Sequence, residues 1–165
     1  MRSRKTAERM ASLSAVMLAL AFPALAQGAG PLKPIPKAQN WMLADDLQSA
    51  RGCAAILDGE DVDVNLLETK DGQMLLVASH PDWKLNPGKI KFRFQVDAGP
   101  DQPMEVDGLA NLLVMPVDAK LETALFSATE VTWKVPGAEY HAKVGGLKTA
   151  FAALKACNIR KGLKH

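Results

Sequence analysis

Cysteine is scarce in this sequence, with only Cys53 and Cys157 among 165 residues. The two are far apart, and the chain has no Cys-x-x-Cys arrangement, which argues against a catalytic thiol–disulfide exchange site. In an oxidising compartment two such cysteines are free to pair. The sequence therefore predicts a Cys53–Cys157 disulfide that closes almost the whole folded unit; two buried free thiols are the alternative.

Long apolar runs are also lacking, since spanning a bilayer takes roughly 20 apolar residues and no segment approaches that length. The apolar run at residues 13–22 follows a basic start and precedes Pro23 and the small-residue pattern of residues 24–26. This combination is typical of a secretory signal peptide. We predict a signal peptide over residues 1–26, a Sec-type route to the periplasm or the exterior, and no integral membrane segment after processing.

Basic and acidic side chains are nearly equal in number once the predicted signal peptide is excluded. The full chain carries 20 Lys and Arg against 18 Asp and Glu, and residues 1–26 contain four of the basic residues and one acidic residue. The 16 basic and 17 acidic side chains that are left lack the basic surface expected of a nucleic-acid binder. The sequence therefore predicts no nucleic-acid partner.

Motifs for catalysis or cofactor binding are absent from the sequence. It has no Gly-x-Ser-x-Gly elbow, no phosphate-binding glycine loop and no dinucleotide fingerprint. Ser79, His80 and Asp82 have the side chains of a hydrolase triad, but a triad usually draws its members from separate elements. We predict no catalytic residue and no cofactor; a small hydrolase or metal-dependent enzyme is the least favoured class.

Metal-binding patterns are equally weak. The histidines are dispersed, without the ligand spacing of a zinc site. The acidic residues between positions 58 and 63 do not have the glycine and glutamate spacing of a calcium loop. We interpret this acidic stretch as a charged turn before a strand, and we predict no metal site.

Proline and glycine mark the domain boundaries. Residues 27–40 contain three prolines and two glycines, a composition that favours an extended, solvated linker. We predict a β-rich globular domain over residues 41–158, followed by a basic tail at residues 159–165 that is expected to be solvated.

Alternation of apolar and polar residues dominates that domain and predicts strands. Residues 62–79 and 131–144 are predicted as β-hairpins, the second turning at Pro136 and Gly137 with His141 facing solvent. Ile90, Phe92, Phe94 and Val96 share one face of an amphipathic strand. Shorter strands are predicted at residues 41–45, 53–57, 103–106 and 110–114.

Two segments have helical spacing instead. Asp118 is a predicted N-cap for a short helix whose Leu121 and Leu125 share one side, and residues 147–157 place apolar side chains three and four positions apart. The strands offer the surface that covers this second stripe. The predicted fold is mainly β, with α+β at the margin: a single antiparallel β-sandwich or partly open barrel with a C-terminal helix packed on it.

The segment of residues 80–88 is predicted to be a loop with a tryptophan among turn-forming residues. Exposed aromatic side chains on loops often anchor partners, so His80, Asp82 and Trp83 are candidate partner-binding residues. Alternatively, Trp83 folds back as a lid over the open end of the sheet, which we favour because large aromatic side chains are usually buried. Trp41 and Trp133 are assigned to the core.

Several features occur in a recognisable order: the signal peptide, the short proline-rich linker, Trp41 at the start of the first strand, Cys53 followed by Ala54, paired strands, and a closing helix at residues 146–154. In this order the chain resembles exported proteobacterial domains of the invasion-associated locus B type. The resemblance implies a non-enzymatic periplasmic or surface protein, with no established catalytic residue.

Together these observations favour an exported, non-catalytic binding module that recognises a protein or a cell-envelope component. The alternative is a periplasmic enzyme inhibitor that presents the loop of residues 80–88 to the cleft of its target.

Overall fold

The computed structural model describes residues 31–45 and 52–163. The predicted signal peptide lies outside the described residues. Within them the chain forms strands β1 Lys33–Pro34, β2 Met42–Ala44, β3 Ala54–Leu57, β4 Asp63–Glu68, β5 Met74–Ser79, β6 Leu85–Val96, β7 Gln102–Ala110, β8 Leu112–Pro116, β9 Glu130–Val135 and β10 Ala138–Lys143, and helices α1 Ala119–Ser127 and α2 Leu147–Arg160.

The ten strands of the described residues form one antiparallel sheet. Its order is β1-β2-β3-β4-β5-β8-β7-β6-β9-β10, and the sheet is not closed into a barrel. The predicted class is confirmed: a mainly antiparallel β structure with a C-terminal helix. Because the sheet stays open, β1 and β10 stand at its two edges.

Both predicted hairpins are confirmed. In the first, Asp63 of β4 lies opposite Ser79 of β5, and the pairing continues to Glu68 opposite Met74. In the second, Val135 of β9 lies opposite Ala138 of β10 next to the turn, and the pairing continues to Glu130 opposite Lys143. The two-residue turn between them places Gly137 at φ +86°, a conformation that glycine adopts without steric cost.

The strand predicted at residues 90–96 is longer than expected, and the predicted loop at residues 80–88 is correspondingly shorter. β6 begins at Leu85, so residues 85–88 belong to a strand; this corrects the prediction. The β6–β7 register is irregular between Leu85 and Gly88. A bulge of this kind accommodates Pro87, which has no amide hydrogen for a regular ladder.

Both helices are confirmed. The carboxylate of Asp118 accepts a hydrogen bond from the backbone N–H of Leu121 at 2.8 Å, the N-cap predicted from the sequence. α2 packs on α1 and on β2, β3 and β4. It continues to Arg160, beyond the predicted end at residue 157 and into the segment predicted as a basic tail.

A large hydrophobic core joins the strands and helices. Trp41 and Trp133 are buried in it as predicted, and the rings of Trp133 and Phe94 have their centroids 5.5 Å apart. In β6 Phe92 and Phe94 are buried, and the intervening Arg93 is exposed. The alternation predicted for this strand therefore places one face of β6 on the core.

Part of the segment predicted as a linker packs on this core. β1 pairs with β2, the side chains of Ile35 and Ala38 are buried, and the N–H of Ile35 donates to the carbonyl of Trp41 at 3.0 Å. Contacts with the sheet therefore begin before Trp41.

Candidate functional site

The predicted disulfide is present. Cys53, just before β3, is bonded to Cys157 in the last turns of α2, across 104 residues of sequence. Both cysteines are buried. The bond therefore ties the last helix to one of the first strands of the sheet.

A buried polar network surrounds this bond. Asn158 accepts a hydrogen bond from the backbone N–H of Cys53 at 2.8 Å and donates one to Oε2 of Glu68 at 2.9 Å. The Glu68 side chain is 0% exposed, and Nζ of Lys155 lies 3.9 Å from its Oε1. These bonds fix α2 to β3 and β4, which gives the network a structural role.

Neither Asn158 nor Glu68 was predicted from the sequence. A signal for Asn158 was available, because it lies four residues after Leu154, on the buried face of α2. A buried amide needs hydrogen-bond partners. No comparable pattern points to Glu68 in β4.

The predicted partner-binding residues do not share one surface. Trp83 is 5% exposed; its ring lies edge-on to Tyr140, with centroids 5.3 Å apart, and His80 lies 4.6 Å from the same Tyr140 ring. This burial agrees with the lid interpretation of Trp83. Asp82 is exposed, and partner binding by the loop stays a prediction.

The triad residue types at positions 79, 80 and 82 do not form a charge relay. Nδ1 of His80 accepts a hydrogen bond from the backbone N–H of Asp82 at 3.1 Å. In a working triad, this imidazole position donates to a carboxylate instead. The geometry at His80 is that of a tight turn.

A cleft of about 200 Å³ lies between the β3–β4 turn and β10. Its lining residues are Asn40, Leu57, Asp58, Gly59, Glu60, Asp61, Glu130, His141, Ala142 and Lys143. Residues 58–61 of the acidic stretch form the charged turn that the sequence predicted, and they make one wall of the cleft.

Carboxylates dominate the charge around this cleft. Next to the lining residues, at the start of β4, partial desolvation raises the pKa of Asp63, and the nearby negative charge of Asp58 raises it further. On the opposite wall, His141 faces solvent as predicted, with its side chain 43% exposed. Its Nδ1 is 3.5 Å from Glu130 and its Nε2 is 3.6 Å from Glu139.

Metal ligands do not converge in the part of the chain that the structure describes. No group of three or more His, Cys, Asp or Glu side chains there is placed to hold a metal ion. Across the same residues, no helix has the length and apolar character that spanning a bilayer requires.

These features define a class: a mainly antiparallel β domain whose C-terminal helix is fixed to the sheet by a disulfide. No family model and no curated protein matches the chain. Among solved structures, the chain is similar to the crystal structure of invasion associated protein B from Bartonella henselae. The TM-score is 0.60 at 16% sequence identity, over 77% of this chain and 97% of the other. The likeness is one of fold, and it confirms the resemblance expected from the sequence at that level.

Proposed function

We propose that this chain is an exported, non-catalytic binding module that acts in the periplasm or outside the cell on a protein or cell-envelope partner. The buried Cys53–Cys157 bond is the observation that carries the proposal. Disulfides persist in oxidising compartments and are rare in reducing ones. The proposal includes a signal peptide at residues 1–26 and a mature domain that begins after it.

Support for the binding role comes from the cleft and the fold. The cleft beside β10 has polar walls. The similar solved protein is named for an association with invasion and not for a catalysed reaction. The inhibitor alternative is less favoured because Trp83, the largest side chain of its loop, is buried.

Export and oxidation are tested together by intact-mass analysis. The full chain, expressed in a Gram-negative host with a C-terminal tag, is expected to be recovered from the periplasmic or extracellular fraction without residues 1–26. Alkylation under denaturing conditions is expected to modify no cysteine until a reductant is added. An untrimmed cytoplasmic chain with two reactive thiols would contradict the proposal.

The binding role is tested by affinity capture with the mature domain. Envelope and periplasmic extracts of the native host are passed over immobilised wild-type protein, and retained components are identified by mass spectrometry. The matched control is a column carrying reduced, alkylated and unfolded protein. The proposal expects a component that only the folded domain retains, and it fails if the two columns retain the same components.

A further inference from the structure

We infer that the cleft beside β10 receives an extended, basic peptide segment of the partner, which pairs with β10 as an added strand. This inference rests on the proposed function, since it names the chemistry of the partner that the module would bind. Three observations carry it: the hydrogen-bonding direction of β10, the position of the cleft, and the charge of the cleft walls.

The first observation is a row of backbone groups that point away from the sheet. In an antiparallel pair, residues alternate between facing the partner strand and facing outward. Val135 and Ala138 flank the two-residue turn, and the N–H of Val144 donates to the carbonyl of Thr129. Even-numbered residues of β10 therefore pair with β9, and the N–H and C=O groups of residues 139, 141 and 143 point to the open side.

The open side of β10 is unpaired among the described residues. β10 has β9 as its only neighbour in the sheet, and no backbone hydrogen bond from residues 139, 141 or 143 joins another described residue. The opposite sheet edge, β1, is only two residues long, whereas β10 has six. β10 is thus the longer template for an added strand.

The second observation is that the cleft lies along the C-terminal half of this edge. His141, Ala142 and Lys143 form one wall, and the β3–β4 turn at residues 58–61 forms part of the other. A chain in this cleft would meet the outward N–H and C=O groups of His141 and Lys143. Successive outward groups on a strand are about 7 Å apart, the spacing at which an added strand presents its own.

The third observation is the charge of the side chains around the cleft. Asp58, Glu60 and Asp61 are exposed on the turn, and Glu130 also lines the cleft. Lys143 is the one lysine or arginine among the lining residues. Because opposite charges steer association and select the partner, the segment that fits here carries Lys or Arg side chains.

The test uses a synthetic peptide of about nine residues in which lysine alternates with threonine and valine, long enough to span β10. Binding to the mature, disulfide-bonded protein is measured by fluorescence anisotropy. We expect saturable binding that weakens as salt is added, and at least about tenfold weaker binding by the same peptide with glutamate in place of lysine. Equal binding of the two peptides would overturn the inference.

Strand pairing is tested on the peptide itself. In one peptide every odd-numbered amide is N-methylated, and in the other every even-numbered amide. Because successive amides of a strand point to opposite sides, only one of the two peptides has its methylated amides facing β10. We expect one of the two to lose binding and the other to keep it, because a methylated amide cannot donate a hydrogen bond. If both bind like the unmodified peptide, the added strand is ruled out.

A matched pair of variants tests the edge of β10. Lys143→Pro removes an outward N–H without touching a β9 bond, and Lys143→Ala removes the charge while it keeps the N–H. We expect about tenfold weaker peptide binding for Lys143→Pro, and unchanged or tighter binding for Lys143→Ala. Circular dichroism melting identifies any loss of folding, in which case the N-methylated peptides decide.

A second pair tests the acidic wall. Asp61→Asn is expected to weaken binding of the lysine peptide about threefold. Asp71→Asn, in the β4–β5 turn outside the cleft lining, is expected to leave it unchanged. Equal effects of the two substitutions would show that general charge, and not this wall, attracts the peptide.

Failure of this inference is distinguishable from failure of the proposed function. If the exported domain retains a partner that Lys143→Pro retains equally well, the edge inference is wrong and the binding module stands. If the lysine peptide pairs with β10 but the chain is neither exported nor oxidised, the proposed function is wrong and the edge site stands.

Discussion

Asp97 joins the end of β6 to the start of β9 through one carboxylate oxygen. Its Oδ1 accepts hydrogen bonds from the backbone N–H of Thr129, the hydroxyl of Thr129 and the backbone N–H of Glu130, all within 2.9 Å. These bonds hold the pKa of Asp97 below its ordinary value, the Glu130 amide contributing most. Its φ of +47° is one that Asp and Asn tolerate better than other side chains.

Removal of the Asp97 carboxylate is expected to destabilise the fold. Asp97→Ala is expected to lower the free energy of unfolding by about 1 kcal/mol, a value reduced for the exposure of the group. Asp97→Asn keeps an acceptor and tolerates the positive φ, so it is expected to lose less. Urea unfolding at neutral pH measures both, and an Asn variant as unstable as the Ala variant would contradict this role for the acceptor.

The same group predicts a pH dependence. Since the pKa of Asp97 is lower in the folded chain than in the unfolded one, its contribution is complete above the unfolded value of about 3.9. That contribution is lost as the pH falls through the folded pKa. The stability difference between wild type and Asp97→Asn is therefore expected to shrink between pH 6 and pH 2. Unfolding curves at several pH values check this, and a constant difference would contradict it.

The roles of single residues were predictable where the relevant contact is local. The N-cap Asp118 bonds a residue three positions away, and an N-cap is recognisable from such a short window. Asn158 and Glu68 are 90 residues apart. Their side-chain types do not indicate this pairing, since it exists only after α2 packs on β4.

Among the elements, the hairpins were predictable and β6 and β7 were only partly so. Both hairpins have tight turns with glycine, and alternation continues on each side of the turn. In β6, Pro87 and Gly88 have the composition of a loop, but the strand passes through them with an irregular register. What extends β6 to Leu85 is its pairing with β7 as far as Ala110, an interaction that lies outside a local window.

The start of α2 depends on a glycine. Gly146 has φ +82°, and a Cβ built there would lie 2.8 Å from Cα and from the carbonyl carbon of Ala38. A side chain at this position is therefore both strained and in collision with the backbone before β2. Gly137 has a similar φ of +86° with nothing within 4 Å of its Cβ position.

Alanine substitutions at these two glycines separate the cost of backbone strain from the cost of the collision with Ala38. Gly146→Ala is expected to lower the free energy of unfolding by about 2 to 4 kcal/mol, from backbone strain plus the collision. Gly137→Ala is expected to cost about 1 kcal/mol from strain alone. Chemical unfolding of both variants checks the difference, and equal losses would show that Ala38 moves aside without cost.

For the whole molecule, the disulfide is the largest single constraint. It links residues 104 positions apart, and on the chain-entropy model a closed loop of about 100 residues contributes roughly 4.7 kcal/mol. Typical domains are stable by about 5 to 15 kcal/mol in all. The crosslink is therefore expected to decide whether the domain is folded at physiological temperature.

Removal of the crosslink tests this. Cys53→Ala, Cys157→Ala and the double variant are each expected to lose about 4 to 5 kcal/mol of unfolding free energy, measured by urea unfolding. The double variant is expected to lose little more than either single variant, because each already breaks the bond. Additive losses would contradict a shared origin in the disulfide and indicate separate packing defects.

The sequence by itself determined the β-rich class, both hairpins, the N-cap of α1, the helical character of α2 and the cysteine pairing. Alternation, capping and turn formation act over a few residues, and two cysteines allow only one intramolecular pairing. Only the tertiary structure decided that Trp83 lies under Tyr140, that Asn158 meets Glu68, and that the acidic turn faces the open edge of β10. These contacts join residues far apart in the chain, and which of them form depends on how the sheet bends and where the helix packs.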